Sequence, residues 1–266
     1  MACIELVQKA DGVVTMQSHL HDSEQMLYVR SGNVEVQIDQ HLFQITEPSI
    51  IFISRLEKHT FISRSADYSR YYVNIKASEA ALEVKDSNRL LAPFINRPAG
   101  HHHVIPVGEI VPVLDTLFEL LYQEFRLDGT NAQPAFLQVI LQVLYRNRPD
   151  VFPCESTPLN HIIQSIQQRF EANPADTISL AELAAENHFS VSYLTHRFKE
   201  ITGYSIGRYR MLCRIAAAKQ MLLTTNRPIS EVSSACGFPD LSNFCRYFRD
   251  EVGSSPSAFR NESKSE

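Results

Sequence analysis

Apolar and polar positions along this chain follow two different periods, and the change between them divides it. Up to about residue 100 the alternation is twofold. Met26, Tyr28 and Arg30 alternate with Leu27 and Val29, Ser31-Gly32-Asn33 makes a turn, and Val34, Val36 and Ile38 alternate with Glu35, Gln37 and Asp39. Further strands are predicted at 42–46, 50–54, 60–63 and 69–76, and many short strands at roughly ten-residue spacing predict a barrel or sandwich. The period then becomes helical: Val111, Leu114, Leu117, Phe118, Leu121 and Phe125 form one apolar stripe, and Phe136, Val139, Ile140, Val143 and Leu144 a second. The stretch 146–157 (RNRPDVFPCEST), with two prolines and polar ends, reads as a linker. The expected organisation is a domain at 1–147, a linker at 148–157 and a domain at 158–266.

The last hundred residues contain one helical unit twice. Residues 180–203 read LAELAAENHFSVSYLTHRFKEITG and residues 229–253 read ISEVSSACGFPDLSNFCRYFRDEVG. Glu182-Leu183 aligns with Glu231-Val232, and Phe189 with Phe238; after one extra residue, Pro239, Leu194 aligns with Phe244, Phe198 with Phe248 and Gly203 with Gly253. Each copy places a short helix, a tight turn, a capping residue and a second helix in order. That is the layout of a helix-turn-helix, whose second helix enters the major groove of DNA. A helix at 159–172, with Ile162, Ile163, Ile166 and Phe170 inward, precedes the first copy. Ser179 and Glu182 form a capping box, Ser190 caps the first recognition helix and Gly203 ends it. A helix from about Ile206 to Thr224 joins the copies; at about 1.5 Å per residue it spans on the order of 30 Å, close to one turn of B-DNA at roughly 34–36 Å.

Composition adds little until it is divided. Among 266 residues, 44% are hydrophobic and 21% charged, as in ordinary globular proteins. A net charge of −5 argues against a nucleic-acid partner, but the acidity is uneven. Residues 158–266 hold 12 Lys and Arg against 11 Asp and Glu, the rest 13 against 19, so the C-terminal part is slightly basic and must concentrate its cations on one face to bind DNA. The start, MACIELVQKADG, lacks the basic and apolar regions of a signal peptide, and no apolar run approaches the roughly eighteen residues of a membrane span. Five scattered cysteines form no CxxC pair and read as thiols of a reducing cytoplasm.

Residues 159–260 resemble the AraC/XylS family of bacterial transcription regulators. The match is dense around IAAAKQMLLTTNRPISEVSSACGFPDLSNFCRYFRDEVGSSPSAFR, with Arg214 and Ala218 on the joining helix, then Gly237-Phe238, Phe244, Phe248, Gly253, Pro256 and Arg260. The N-terminal half resembles the cupin-type sensor of many members, through HLHDSEQMLYVRSGNVEVQID and His59. The resemblance implies an α+β chain of two domains: a cupin-like β-barrel with appended helices, and an all-α domain with two helix-turn-helix motifs joined by a long helix. It also implies homodimerisation through the helices after the barrel, promoter DNA and RNA polymerase as partners, and a small-molecule effector, sugar-like as a family-level expectation.

Placing Leu194, Phe198 and Ile201 inward on the first recognition helix, and Phe244, Phe248 and Val252 on the second, leaves the opposite faces outward. Matched to the family, base-edge readers fall at Ser192, Thr195, His196, Ser242, Asn243 and Arg246. Arg246 is the strongest because arginine binds guanine O6 and N7 bidentately. Lys199, Arg249 and the capped helix N-termini are expected on phosphates. Candidate effector-binding residues on the strands are His21, Arg30, His59, Tyr72 and Asn74, since a few polar groups in an apolar cavity orient a small ligand. His19, His21 and His59 invite a metal, but Gln25 stands where a cupin carboxylate is expected and an amide is a poor ligand; no metal or cofactor is expected. The run His101–His103 reads as a solvated loop. The leading expectation is a cytoplasmic activator without catalytic activity. The alternatives are a regulator whose N-terminal half is only a dimerisation scaffold, and a cupin enzyme fused to a DNA-binding module.

Overall fold

The computed structural model of the protein describes residues 3–19, 23–95, 103–127, 133–152 and 158–262. The chain divides into two compact units, the first made of residues 1–17 and 23–156 and the second of residues 157–266 together with 18–22. In the first unit, eight strands run in order: β1 (Ile4–Asp11), β2 (Val14–His19), β3 (Glu24–Ser31), β4 (Val34–Ile38), β5 (His41–Ile45), β6 (Ser49–Ile53), β7 (His59–Ser63) and β8 (Ser69–Ile75). Three short helices follow, α1 (Ala77–Glu83), α2 (Ser87–Leu90) and α3 (Ala92–Ile95), then β9 (Val104–Pro106) and two long helices, α4 (Val111–Arg126) and α5 (Gln133–Asn147). The strands form a five-stranded sheet, β1-β8-β3-β6-β9, and a four-stranded sheet, β2-β7-β4-β5. The pairs β1–β8, β3–β6, β3–β8, β4–β5, β4–β7 and β6–β9 are antiparallel.

Two cores share the five-stranded sheet. On its inner face, Leu27, Val29, Ile51 and Ile53 meet Val34, Val36, Ile38 and Phe61 of the other sheet. On its outer face, Met26, Tyr28, Phe52, Tyr71 and Val73 meet Leu114, Phe118 and Leu121 of α4 and Leu137, Ile140, Leu141 and Leu144 of α5. This is why the alternation in β3 is one of direction and not of polarity: it is the middle strand, and Met26 through Val29 are all at most 1% exposed. The buried face of α5 differs by about one position from the predicted stripe, for Val139 is 42% exposed and Phe136 and Val143 are half-buried. Leu137, Ile140, Leu141 and Leu144 keep the i, i+3, i+4, i+7 spacing that one helix face requires. The expected linker begins inside this unit, because Val151 and Phe152 are buried in the helix-covered core; residues 153–157 lie outside those described.

Arg30 and Asp115 also join α4 to the sheet, at 2.8 Å, and the Tyr28 hydroxyl donates to the same carboxylate at 2.9 Å. Each fully buried Leu or Phe of α4 contributes roughly 1.5–3 kcal/mol, against about 1 kcal/mol for a partly exposed pair, so apolar burial holds the helix and the ion pair selects its register. Burial pushes the Asp115 carboxyl upward, but hydrogen bonds from Arg30 and Tyr28 outweigh it and hold the group below its ordinary value. A depressed carboxylate stabilises the fold above its unfolded pKa, near 3.9, and the contribution is lost as pH falls through the folded value. Asp115→Asn is therefore expected to lower stability by about 1 kcal/mol at neutral pH. Melting curves of both proteins across pH should show that gap closing below about pH 4.

The second unit contains α6 (Pro158–Ala172), α7 (Leu180–Glu186), α8 (Val191–Thr202), α9 (Ile206–Thr224), α10 (Ile229–Ala235), α11 (Leu241–Val252) and α12 (Pro256–Glu262). The helix predicted between the two copies is α9, with the predicted bounds. It has no single apolar stripe, because both copies pack on it: Ile206, Tyr209, Leu212, Cys213, Ile215, Ala216, Ala218 and Leu222 are all buried. Ile215, Ala218 and Leu222 form one core with Val232, Cys236, Phe238, Phe244 and Phe248 of the second copy. In the first copy the Phe198 ring meets the Tyr209 ring of α9 edge to face at 5.6 Å.

Candidate nucleic-acid interface and barrel interior

The two candidate recognition helices, α8 and α11, are built alike. Each begins at a side chain that accepts from the third backbone amide onward: Ser190 from Tyr193 at 3.2 Å, and Asp240 from Asn243 at 2.7 Å. Each ends at a left-handed glycine, Gly203 or Gly253, whose amide donates to Lys199 or Arg249. Leu194 and Phe198 are fully buried in one, Phe244 and Phe248 in the other, so the same turns of both helices face outward. Ile201 and Val252, expected inward, are half-buried. Ser179 and Glu182 form both hydrogen bonds of the capping box that starts α7. Its counterpart α10 departs from the duplication, beginning at Pro228 without a side-chain cap.

On α8, Ser192, His196 and Lys199 are exposed, whereas Thr195 is half-buried and its hydroxyl donates to the Val191 and Ser192 carbonyls of its own helix at 2.9 and 3.1 Å. Tyr193, absent from the expected set, is 45% exposed and leans on the Phe189 ring. On α11, Ser242, Arg246 and Arg249 are exposed and Asn243 is half-buried. Asn243 links its neighbours: its amide nitrogen donates to the Asp240 carboxylate, and its carbonyl accepts from Arg246 at 3.1 Å. The Arg246 guanidinium also lies 4.9 Å over the Tyr247 ring. Hydrogen bonding from the Asn243 backbone amide, the largest cause, holds the Asp240 carboxyl below its ordinary value, so this cap stays charged at neutral pH. Asp240, Asn243 and Arg246 thus restrict the rotamers of an exposed arginine before any partner arrives.

Two other arginines of the signature turn inward. Arg214 of α9 donates to the Pro174 and Asp176 carbonyls at 3.0 and 3.3 Å, and Arg260 of α12 to the Arg227 carbonyl at 2.7 Å. Both bind turns of their own unit. Glu251, a residue the sequence pattern did not single out, is 6% exposed and pairs bidentately with Arg208 of α9 at 2.6 and 2.7 Å.

In the first unit the structure separates the expected effector-binding residues. His59, Tyr72 and Asn74 lie on the inter-sheet side of β7 and β8. His59 is 1% exposed and its Nδ1 meets the Glu57 carbonyl at 2.8 Å. Asn74 accepts from the Gln25 side chain at 2.8 Å, and the Tyr72 hydroxyl donates to Gln8. Arg30, expected among them, faces the other way, because β3 alternates and residue 30 shares the face of Met26 and Tyr28; its guanidinium is occupied by Asp115. His21, like His101 and His102, lies outside the described residues. His103 is half-buried beside Phe52 and Glu57. Among the described residues no group of three His, Cys, Asp or Glu side chains could hold a metal ion, and no helix is long and apolar enough to cross a membrane. Arg70 was missed. It stands two residues before Tyr72 on the same face of β8 and is 4% exposed, so the alternation that selected Tyr72 and Asn74 also selects Arg70.

Comparison with known proteins agrees with both halves of this geometry. The AraC-like ligand binding domain matches residues 8–144, and a helix-turn-helix domain matches residues 183–262. The transcriptional activator RhaR of Pectobacterium carotovorum is 26% identical over 247 residues, covering 91% of this chain and 85% of its own. The uncharacterized regulator YdiP of Escherichia coli K12 is 26% identical over 259 residues, covering 92% and 81%. Among solved structures, ToxT of Vibrio cholerae superposes with a TM-score of 0.63 at 13% identity, over 96% of each chain, a likeness of fold. The chain belongs to the AraC family, as a DNA-binding transcription regulator with a ligand-binding N-terminal domain.

Proposed function

We propose that this regulator is an activator that reads paired promoter sites with α8 and α11 and is switched by a small molecule held between its sheets. The observation that carries this reading is the equivalence of the two helices: each is capped, ends at glycine and turns a polar face outward, and α9 joins them. Ser192, Thr195 and His196 of α8, and Ser242, Asn243 and Arg246 of α11, contact base edges. Thr195, with its hydroxyl turned to its own helix, offers its methyl group to thymine. Lys199 and Arg249, with the helix N-termini, hold phosphates. Activation is supported by the RhaR relatives, whose name describes activators, and the family resemblance adds RNA polymerase as a partner.

His59, Tyr72 and Asn74, with His21, orient the effector, while Arg30 acts from the opposite face by fixing α4. The bound effector shifts the population between two presentations of the DNA-binding units. Residues 1–147 sense and dimerise, 148–157 connect, and 158–266 bind DNA. Exposed Val113 and Leu120 on α4 and Val139 on α5 supply apolar area for a homodimer in the cytoplasm.

Fluorescence anisotropy of the full-length protein against bacterial promoter fragments at two salt concentrations tests the reading. Selective, salt-weakened binding is expected. Arg246→Ala should cost about 1–3 kcal/mol on fragments that carry its base pair and flatten the preference at that position. Lys199→Ala or Arg249→Ala should weaken all fragments alike and reduce the salt slope by about 1. Binding indifferent to sequence in the wild type would reject the reading.

A further inference from the structure

Arg70 is the one buried lysine or arginine among the described residues, and its environment lacks a counterion. Its guanidinium lies 5.3 Å from the Phe61 ring centre, 5.4 Å from Tyr72 and 5.8 Å from Tyr68. Nη1 reaches the Tyr68 hydroxyl at 3.5 Å and Nη2 the Met16 sulfur at 3.1 Å, both weak partners, while Nε has none. Phe61 and Met16 belong to the four-stranded sheet and Arg70 to the five-stranded one, so the charge sits between the sheets. Neither of the two carboxylates bound to the helix-covered face of this sheet answers it. Glu24, the buried carboxylate of this unit, shares the helix-covered face with Met26 and bonds to the Ala77 amide. Asp115 is taken by Arg30 on that face as well.

A buried guanidinium without an anion is costly to the fold, and aromatic faces offset only part of the cost because they leave its N–H edge unsatisfied. The alternation of β8 then continues from Arg70 to Tyr72 and Asn74 on the same face as the apolar core of Leu27, Val29, Val36 and Ile51. We infer that Arg70 binds the carboxylate of an anionic effector whose apolar or aromatic body lies between the sheets. A guanidinium meets a carboxylate through two parallel hydrogen bonds, which is the pairing that a single buried arginine completes. One cation, with no second lysine or arginine buried beside it, matches a monoanionic carboxylate and not a phosphate dianion. This deepens the effector reading above and rests on it.

The test uses the full-length protein, Arg70→Met, and the probes benzoate, phenylacetate and 4-phenylbutyrate, each beside its neutral amide at matched ionic strength. At about 10 mM, at least one carboxylate is expected to raise the wild-type Tm by about 3 °C or more, with its amide inert. Arg70→Met keeps the length and apolar stem of the side chain, so its own Tm should equal or exceed the wild type's, and the carboxylate shift should vanish. A wild-type Tm unmoved by all three carboxylates, or a shift equal in Arg70→Met, overturns the anion site. A fall in the unliganded Tm of Arg70→Met, with the carboxylate shift retained, assigns Arg70 to the scaffold and also overturns it. If neutral monosaccharides raise the Tm of both proteins while carboxylates do not, the sensor reading stands and only its anionic chemistry falls.

Discussion

Phe248→Ala is expected to cost about 3–5 kcal/mol and to abolish selective DNA binding without touching any residue proposed to contact DNA. The Phe248 side chain is fully buried at the centre of the second motif, with the Phe244 and Phe259 rings each 5.6 Å away. It therefore links α11, the candidate recognition helix, to α12, and shares one core with Ile215, Ala218 and Leu222 of α9. Removing the ring leaves a cavity that three helices border and none can collapse into alone. Domains of this size have a total stability of roughly 5–15 kcal/mol, so the loss takes a large share of it. Hydrogen exchange on the full-length protein separates local from global effects, because each unit reports its own amides. Amides of α10 and α11 should exchange about 10²–10⁴ times faster in the variant, while those of β3 and β6 keep their rates. Exchange within tenfold of wild type across α11 would show that Phe248 is not the keystone of that motif.

The same pairing explains how much of the protein was legible beforehand. The duplication exposed Phe248 because its partner, Phe198, sits at the matching turn of α8, and burial of both follows from one spacing. Caps were equally readable, since Ser179, Ser190 and the left-handed Gly203 act within a few residues of themselves. Readability failed where a residue's role depends on a distant partner. Which way β3 faces could be counted, but not that α4 would cover one face and leave Arg30 against Asp115. Val151 and Phe152 looked like linker beside two prolines, yet they complete a core that begins with Cys3 and Ile4. Asn243 was legible as a polar surface residue but not as the bridge between Asp240 and Arg246, which needs the χ angles of all three. Arg70 is the instructive omission: it stands two residues before Tyr72 in the same alternation, so the pattern that selected Tyr72 and Asn74 carried it as well.

Gly237→Ala should disrupt the second motif from a position that contributes no side chain at all. Gly237 has φ +80°, a left-handed backbone that costs an ordinary L-residue roughly 1–2 kcal/mol. An added Cβ would stand 2.7 Å from the Ala175 Cα and 3.2 Å from Arg214 Nη2. The first contact is backbone and must move; the second is a flexible tip, but that tip holds the same turn through the Asp176 carbonyl, as Nε does through the Pro174 carbonyl. Arg214 also lies 6.0 Å over the Phe238 ring, so one guanidinium binds the turn before α7 and the turn before α11 to α9. The methyl group forces these apart. Strain and displacement together are expected to destabilise the unit by about 2–4 kcal/mol. Because Gly237 joins the two copies through the 174–176 turn, the damage should reach both, and binding to paired sites should fall further than binding to either half. Anisotropy with paired and half-site fragments measures this. A loss that spares the half-site read by α8 would mean that Gly237→Ala weakens only α11, and that the two motifs tolerate independent movement.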